Sequence, residues 1–331
     1  MKILYAIQGT GNGHMSRAQE LLPYFKQYGT VDVLVSGTQS QLDVVFDITY
    51  RTKGMSFIAS KSGGVHFLKT LLHLRPIRFF KEVFSLPVKK YDLIISDFEP
   101  VSAWACKFRN LPCIELSHQC AVKMAESPQP KESFPIGQWV VENYCPSTKQ
   151  YGVHFQCYNE RVFFPIIRNE VKRLNPVDDG YYLVYLTGYS DEAIAEVLTK
   201  TNQSWRVYSK ESKETTKQEN ITFCPIDNKK FISDLEKCKG ILCGAGFELP
   251  AEALFLGKKL MVIPYNNHYE QQCNAEALKR LGIPVLNHLS LAELEPLRHW
   301  TERINAVKIH MPDQTALLVE KIVTENVDVK F

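Results

Sequence analysis

The chain has no CxxC pair, and its nine cysteines are an odd number scattered over 331 residues, so neither a zinc site nor a disulfide framework is expected. No apolar run reaches about 18 residues, which argues against a membrane-spanning helix. No DxD triad occurs, so no metal site is expected. Excess charge of one sign is also missing: 39 Lys and Arg against 36 Asp and Glu leave +3, which makes no global case for nucleic acid as a partner. A phosphate loop of the GK[ST] kind is absent, and no short-period repeat appears. Met1-Lys2 runs straight into an apolar strand pattern, so no leader is expected and the chain reads as cytoplasmic, in a reducing compartment.

What is present is a soluble, globular composition, 45% hydrophobic and 23% charged, long enough for two domains of roughly 150 residues each. Short apolar runs alternate with helical patterns. In the first half "KILYAIQG", "VDVLVSG", "YDLIISDF" (91–98) and "LPCIELSHQ" (111–119) read as strands, with a helix over 16–28 and another in "PVSAWACKFRN". A second set begins after Pro176: "GYYLVYLTG" (180–188), a helix capped by Ser190, then "WRVYSK", "ITFCPI", "GILCGAG" and "KLMVIPY". The polar "NEVKRLNPVDDG" between them reads as a linker. The expectation is α/β: two Rossmann-like, doubly wound domains facing a cleft. Residues 1–165 are expected to form the N-terminal domain, 166–180 the linker and 181–331 the C-terminal domain, whose last helix can pack back on the first.

The first strand ends in Gly9, Gly11 and Gly13, and His14 follows at once. The dinucleotide fingerprint fails here, because the spacing is GxGxG and the second strand ends in "VSG" where a ribose-binding acid belongs. Glycines let a ligand lie close to the backbone, and the next helix points free N–H groups toward it. A histidine there either takes a proton from a hydroxyl or merely caps the turn. Asp97 ends "LIISD" at the same sheet edge. It either holds the imidazole's other nitrogen or caps the helix near Pro100. Glu99 and His118 line that edge too, as acceptor-binding groups beside Gly11 and Gly13 or as ordinary loop residues.

The stronger signal is "LCGAGFELPAEALFLGKKLMVIPYNNHYEQQCNAEALKRLG" (242–282). A strand ends in Gly244, Ala245 and Gly246, and a helix begins near Pro250, whose amides can bind a diphosphate without metal. Glu252 can take a pair of ribose hydroxyls, Glu270 and Gln271 can read a sugar, and Asn274 can brace the loop.

These stretches resemble GT-B glycosyltransferases, the group that holds the cell-wall N-acetylglucosaminyltransferase and the UDP-glucuronosyl/glucosyltransferases. "GTGNGHMSRA" matches the N-terminal glycine loop and histidine. "GFELPAEALFLGKKLMVIPYNNHYEQQCNAEAL" matches the longer donor-site pattern. The resemblance spans nearly the whole chain. It implies a diphosphate loop at Gly246 and Phe247, a ribose carboxylate at Glu252 and a donor-sugar pair at Glu270 and Gln271. It also implies a main-chain contact to uracil at Ile226, phosphate-side positions at Thr187 and Gly188, and base and partner at His14 and Asp97. The chain departs from the plant-type pattern at Gly244, Glu248 and Leu249. Glu248 beside a diphosphate would have to point out, pair with a base, or weaken the donor assignment. The implied activity is inverting, metal-independent transfer of a sugar from a UDP-linked donor to a sugar or lipid-linked acceptor, with no cofactor. The alternatives on this fold are a UDP-N-acetylglucosamine 2-epimerase-like enzyme and a non-catalytic nucleotide-sugar binder.

Residues 66–84, "HFLKTLLHLRPIRFFKEVF", interleave Lys69, Arg75, Arg78 and Lys81 with leucines and phenylalanines. They read either as two short helices split by Pro76 or as a surface that touches a membrane.

Overall fold

The computed structural model describes residues 1–9, 11–37, 45–55 and 75–327. Its first strand shows how the architecture follows from sequence. In β1 (Lys2–Gln8) every residue after Lys2 is buried. Ile3, Tyr5 and Ile7 enter one core, and Leu4 and Ala6 enter the core on the opposite face. Side chains alternate across a strand, so an apolar run without polar alternation must be covered on both sides.

β1 is joined by β2 (Thr30–Ser36), β3 (Tyr50–Thr52), β4 (Leu93–Asp97), β5 (Ile114–Ser117), β6 (Lys149–Val153) and β7 (Val162–Phe163). They form a parallel sheet in the order β3-β2-β1-β4-β5-β6-β7. The second sheet holds β8 (Tyr181–Tyr185), β9 (Ser204–Ser209), β10 (Thr216–Gln218), β11 (Ile221–Pro225), β12 (Gly240–Gly244) and β13 (Lys259–Ile263). Its order is β10-β11-β9-β8-β12-β13, and only β10 runs antiparallel. In each sheet the chain winds first to one side of its founding strand and then to the other. This creates switch points at β1/β4 and β8/β12, where loops diverge and ligands can enter.

The helices are α1 (Asn12–Phe25), α2 (Pro76–Ser85), α3 (Pro100–Phe108), α4 (His118–Val122), α5 (Pro135–Asn143), α6 (Asn169–Lys172), α7 (Asp191–Leu198), α8 (Asn228–Lys237), α9 (Glu248–Phe255), α10 (Tyr269–Arg280), α11 (Leu294–Arg303) and α12 (Thr315–Asn326). Ser190 caps α7 by accepting from the Ala193 amide. Two starts differ from the sequence expectation. α1 begins at Asn12, so His14 lies inside its first turn, and α9 begins at Glu248, two residues before Pro250. β3, β6, β7 and β10 were not foreseen, being short or partly polar.

α12 returns to the first sheet. Leu318, Val319 and Ile322 join the core that holds α1 and β1, and Tyr151 donates to Glu325 at 2.8 Å. A second seam between the halves lies where Val122 and Val141 meet Tyr269 and Cys273. There a Cβ on Gly137 would come within 2.7 Å of the Tyr269 Cβ, so only glycine lets α5 approach α10 this closely. Of the segment 66–84, residues 66–74 lie outside the described residues, and the remainder is the single helix α2 with Pro76 in its first turn.

Candidate active site

In the register of the first sheet Ile7 pairs with Asp97, so the end of β4 lies beside the loop that leaves β1. Gly11, at φ 99°, supplies the left-handed residue that turns this loop into α1. His14 then projects from the first turn, and its Nδ1 lies 2.8 Å from Asp97 Oδ1. Asp97 is wholly buried, while the His14 side chain keeps 12% exposure. Phe98, next in the chain, is held at φ 52°, an uncommon conformation for a bulky residue and one that turns the chain sharply beyond Asp97.

A third member was not singled out from the sequence. Arg17 donates to Asp97 through Nη2 at 2.7 Å and Nε at 3.1 Å, and its Nη2 lies 3.0 Å from His14 Nδ1. Arg17 Nη1 reaches across the cleft to Glu248 Oε1 at 2.7 Å. Burial alone would raise the Asp97 carboxyl, but Arg17 and His14 outweigh it and hold it below the usual carboxylate range. Glu248 follows the opposite balance: burial pushes it up to about 7 against the pull of Arg17. The sequence signal for Arg17 is its place three residues after His14, on the same face of α1. Gly13 completes the seam, since a Cβ there would lie 2.9 Å from the Glu248 Cγ.

On the second half, β12 ends at Gly244 and α9 opens at Glu248. The Ala245 amide is taken by Ile263 O at 3.2 Å. Open space lies over Gly246, where a Cβ would meet no atom within 4 Å. The first amides of α9 have no partners within the helix. Phe247 is buried, with its ring stacked on His118 at 3.9 Å. Glu252 is buried, and both its oxygens are held by Arg168 of the interdomain segment, at 2.5 Å to Nε and 2.8 Å to Nη2. Burial raises this carboxyl, and Arg168 opposes the shift. Glu270 accepts from Gln119 at 3.1 Å. There His118, His268 and Gln119 outweigh burial and lower the carboxyl. Gln271 Oε1 accepts from the Tyr265 amide at 3.0 Å, and Thr187 Oγ1 lies 2.8 Å from Tyr265 OH, against whose ring Gly188 packs. Ile226 is exposed beyond β11. Asn274 braces the loop after β12, donating to Ala245 O at 3.0 Å.

Two acceptor-side expectations are corrected. Glu99, fully buried, is the N-cap of α3: it accepts from the Val101 and Ser102 amides at 2.7 and 2.6 Å and from Ser36 Oγ. It, and not Asp97, caps that helix. His118 is also buried. Its Nδ1 meets Val153 O of β6 at 3.0 Å and its Nε2 meets Asn274 Oδ1 at 2.7 Å, so one ring nitrogen is tied to its own sheet and the other to the second half. Both side chains are buried and engaged by the protein in this structure. A cavity of about 660 Å³ lined by Tyr91, Leu93, Leu111 and Val327 opens at the amino ends of β4 and β5, the edge opposite His14, and is no part of the cleft.

Two comparisons match. A sequence model described as "Glycosyl transferase family 1" matches residues 1–304. Solved structures align over nearly all of the chain. MurG of Acinetobacter baumannii is 14% identical, with a TM-score of 0.56 and 97% of this chain and 98% of that one covered. The kitacinnamycin glycotransferase is 13% identical, with a TM-score of 0.58 and coverage of 98% and 99%. Phytolacca americana UGT2, solved with UDP-2fluoro-glucose and pterostilbene, is 11% identical, with a TM-score of 0.57 and coverage of 98% and 94%. At such identity the likeness is one of fold. No curated protein matches the chain.

Proposed function

The chain belongs to glycosyl transferase family 1 and is a glycosyltransferase; on that premise we propose that it transfers a sugar from a UDP-linked donor to an acceptor hydroxyl, with inversion and without a metal. The observation that carries the reading is the 2.8 Å contact between His14 Nδ1 and Asp97 Oδ1 at a switch point that faces the start of α9. Asp97 holds the Nδ1 proton, which leaves Nε2 to accept one. As His14 takes the acceptor's proton, the acceptor oxygen forms a bond to the anomeric carbon. The bond from that carbon to the diphosphate oxygen breaks on the opposite face. The charge that grows on the leaving diphosphate meets the first amides of α9 and the open Gly246. Glu252, Glu270 and Gln271 then serve ribose and sugar, and the main chain at Ile226 serves the base. Glu252 does so while sharing its charge with Arg168.

In this reading residues 1–165 carry the acceptor, 181–331 carry the donor, and 166–180 form the hinge between them. On the acceptor side Ile77, Phe80, Phe84 and Phe108 are exposed, and the rings of Phe84 and Phe108 stack at 5.6 Å. The Arg109 guanidinium lies over Phe84 at 5.8 Å. The one acid of α2, Glu82, is occupied by the Lys53 and Gly54 amides. An aromatic face rimmed by cations suits peripheral contact with an anionic membrane and hence a lipid-linked acceptor on its cytoplasmic side. No helix among the described residues is long and apolar enough to cross a membrane.

The test is a panel of UDP- and dTDP-sugars by thermal shift, followed by UDP release from wild type and His14→Ala. The reading expects a UDP-sugar to raise Tm and acceptor-dependent release to fall by about 10²–10⁴ in the variant. Donor-sugar interconversion without acceptor would establish an epimerase instead. Binding without turnover would establish a binder.

A further inference from the structure

Arg17 is placed to do more than neutralise a carboxylate. Its side chain is 2% exposed, and its three nitrogens touch Asp97, His14 and Glu248 at once. Asp97 and His14 belong to the first half of the molecule, and Glu248 opens the helix that leads the donor side of the second. Resting on the reading of His14 as the base, we propose that Arg17 is a positioning residue, set by Glu248 from across the cleft, that selects the His14 tautomer able to accept a proton.

The argument is a competition for hydrogens. Nη2 of Arg17 carries two. One goes to Asp97 Oδ1 at 2.7 Å, and His14 Nδ1 lies 3.0 Å away as an acceptor for the other. If Nδ1 accepts it, the ring's single proton must sit on Nε2, and the ring can take no proton from an acceptor there. If Nδ1 keeps its own hydrogen for Asp97 Oδ1, 2.8 Å away, Nε2 is bare and the base is competent. Glu248 decides between these by fixing the outer edge of the guanidinium. Nη1 drawn 2.7 Å from Glu248 Oε1 and the Nε/Nη2 edge on Asp97 hold the guanidinium from two sides, while Nη2 still lies 3.0 Å from His14 Nδ1. Without that anchor only the Asp97 edge holds the guanidinium, and Nη2 can give its second hydrogen fully to His14 Nδ1. The competent tautomer is therefore completed only when α9 has closed onto α1. The missing Cβ at Gly13, which would stand 2.9 Å from the Glu248 Cγ, permits that approach.

The pair also answers what an acid is doing at the start of a helix meant to receive a diphosphate. Glu248 faces Arg17 and His14 from α1, Asp97 from β4 and Tyr5 from β1, with Glu252 on its own helix. Of these, Arg17 binds it directly.

The test uses the full chain in four forms, wild type, Glu248→Gln, Arg17→Lys and Arg17→Ala, with turnover kinetics and ¹⁵N spectra of the histidine rings. The His14 signals are assigned by their loss in His14→Gln. Glu248→Gln is expected to lower kcat about tenfold, the loss of roughly one charge-assisted hydrogen bond, while the KM for the donor moves little. Its His14 spectrum should shift from the Nδ1-protonated pattern toward the Nε2-protonated one. Arg17→Lys, which keeps the charge but not the fork, should recover part of the kcat lost in Arg17→Ala. An unchanged His14 tautomer in Glu248→Gln, or a kcat equal to wild type, overturns the proposal. Should Arg17→Ala fail to fold, the Glu248→Gln spectrum still decides. A fully active His14→Ala would sink the base reading instead, and the ring spectra would judge the tautomer claim separately.

Discussion

Replacing Asp97 with asparagine tests stability and chemistry with one change of atom. Asp97 is fully buried and faces three nitrogens, His14 Nδ1 at 2.8 Å, Arg17 Nη2 at 2.7 Å and Arg17 Nε at 3.1 Å. Losing one partner of a buried charge pair costs about 3–5 kcal/mol. Asparagine keeps one acceptor oxygen and Arg17 keeps Glu248, so the low end applies, about 3 kcal/mol. In a domain of this size each kcal/mol is worth roughly 2–4 °C, a fall in Tm of about 6–12 °C. The pH dependence has a definite sign. The folded state holds the Asp97 carboxyl below its unfolded value. Its stabilising contribution is therefore present above the unfolded carboxylate range near pH 4 and is lost as pH falls through the folded value. The gap in Tm between wild type and Asp97→Asn should be full at pH 7.5 and shrink in acid. On the proposed mechanism turnover should fall with it by about 10²–10⁴, because an amide carries no charge to balance the imidazolium that forms. The assay is differential scanning fluorimetry across pH together with UDP release. A variant that melts within about 2 °C of wild type at neutral pH, well inside the expected shift, would refute the claim that Asp97 is an energetic partner of Arg17.

Glu248→Gln should gain stability relative to wild type as pH rises from about 4.5 to about 7. Burial raises this carboxyl to about 7 in the folded state, so its ionisation works against folding in that window; urea titrations at pH 5 and pH 8 measure the difference, expected to be about 3 kcal/mol at 1.4 kcal/mol per unit. Arg168→Gln leaves Glu252 buried without its two donors and should cost about 3 kcal/mol, with the loss much reduced in the double variant Arg168→Gln/Glu252→Gln; additive losses would show that the two side chains are not coupled. Phe84→Ser with Phe80→Ser should abolish sedimentation with anionic vesicles and leave turnover on a soluble acceptor intact, and vesicle binding equal to wild type would remove the membrane role of α2.

The fold was largely legible because its central strands are apolar runs of five to seven residues with helices between them, and β1, β4, β8, β12 and β13 are buried at nearly every position. The pairing of His14 with Asp97 was legible for a related reason: both follow strands that meet at a switch point, and parallel strands deliver their loops to one edge. Direction was not legible. Glu99 and His118 stand at the same edge, yet one folds back onto its own helix start and the other turns into the seam between the halves. Periodicity places a residue at an edge and says nothing of where a side chain with local partners will aim. Partners were less legible still. Arg17 and Glu248 are 231 residues apart and Arg168 and Glu252 are 84 apart, and no local pattern couples them.

On the proposed function, those two arginines bear on how a cleft lined with acids can accept an anionic donor. Asp97, Glu248, Glu252 and Glu270 all stand near the space between the sheets, and four free carboxylates would repel a diphosphate. None is free. Arg17 serves Asp97 and Glu248 together, Arg168 closes on Glu252, and Glu270 leans on Gln119 beside His118. The two arginines offset two of the four charges, and the first amides of α9 add their positive field beside the open Gly246. The arrangement has a cost, since burial still drives Glu248 and Glu252 upward despite their arginines. A neutral residue at either place would fold with less strain on the charge balance, as buried ion pairs replaced by apolar groups often do. What an arginine–carboxylate pair can also do is tie one part of the molecule to another by a charge-assisted bond. Both arginines do so, Arg17 from α1 and Arg168 from the segment that joins the sheets. At Glu248 and Glu252 charge matching and closure are therefore the same contacts, and a variant that weakens one there should weaken the other.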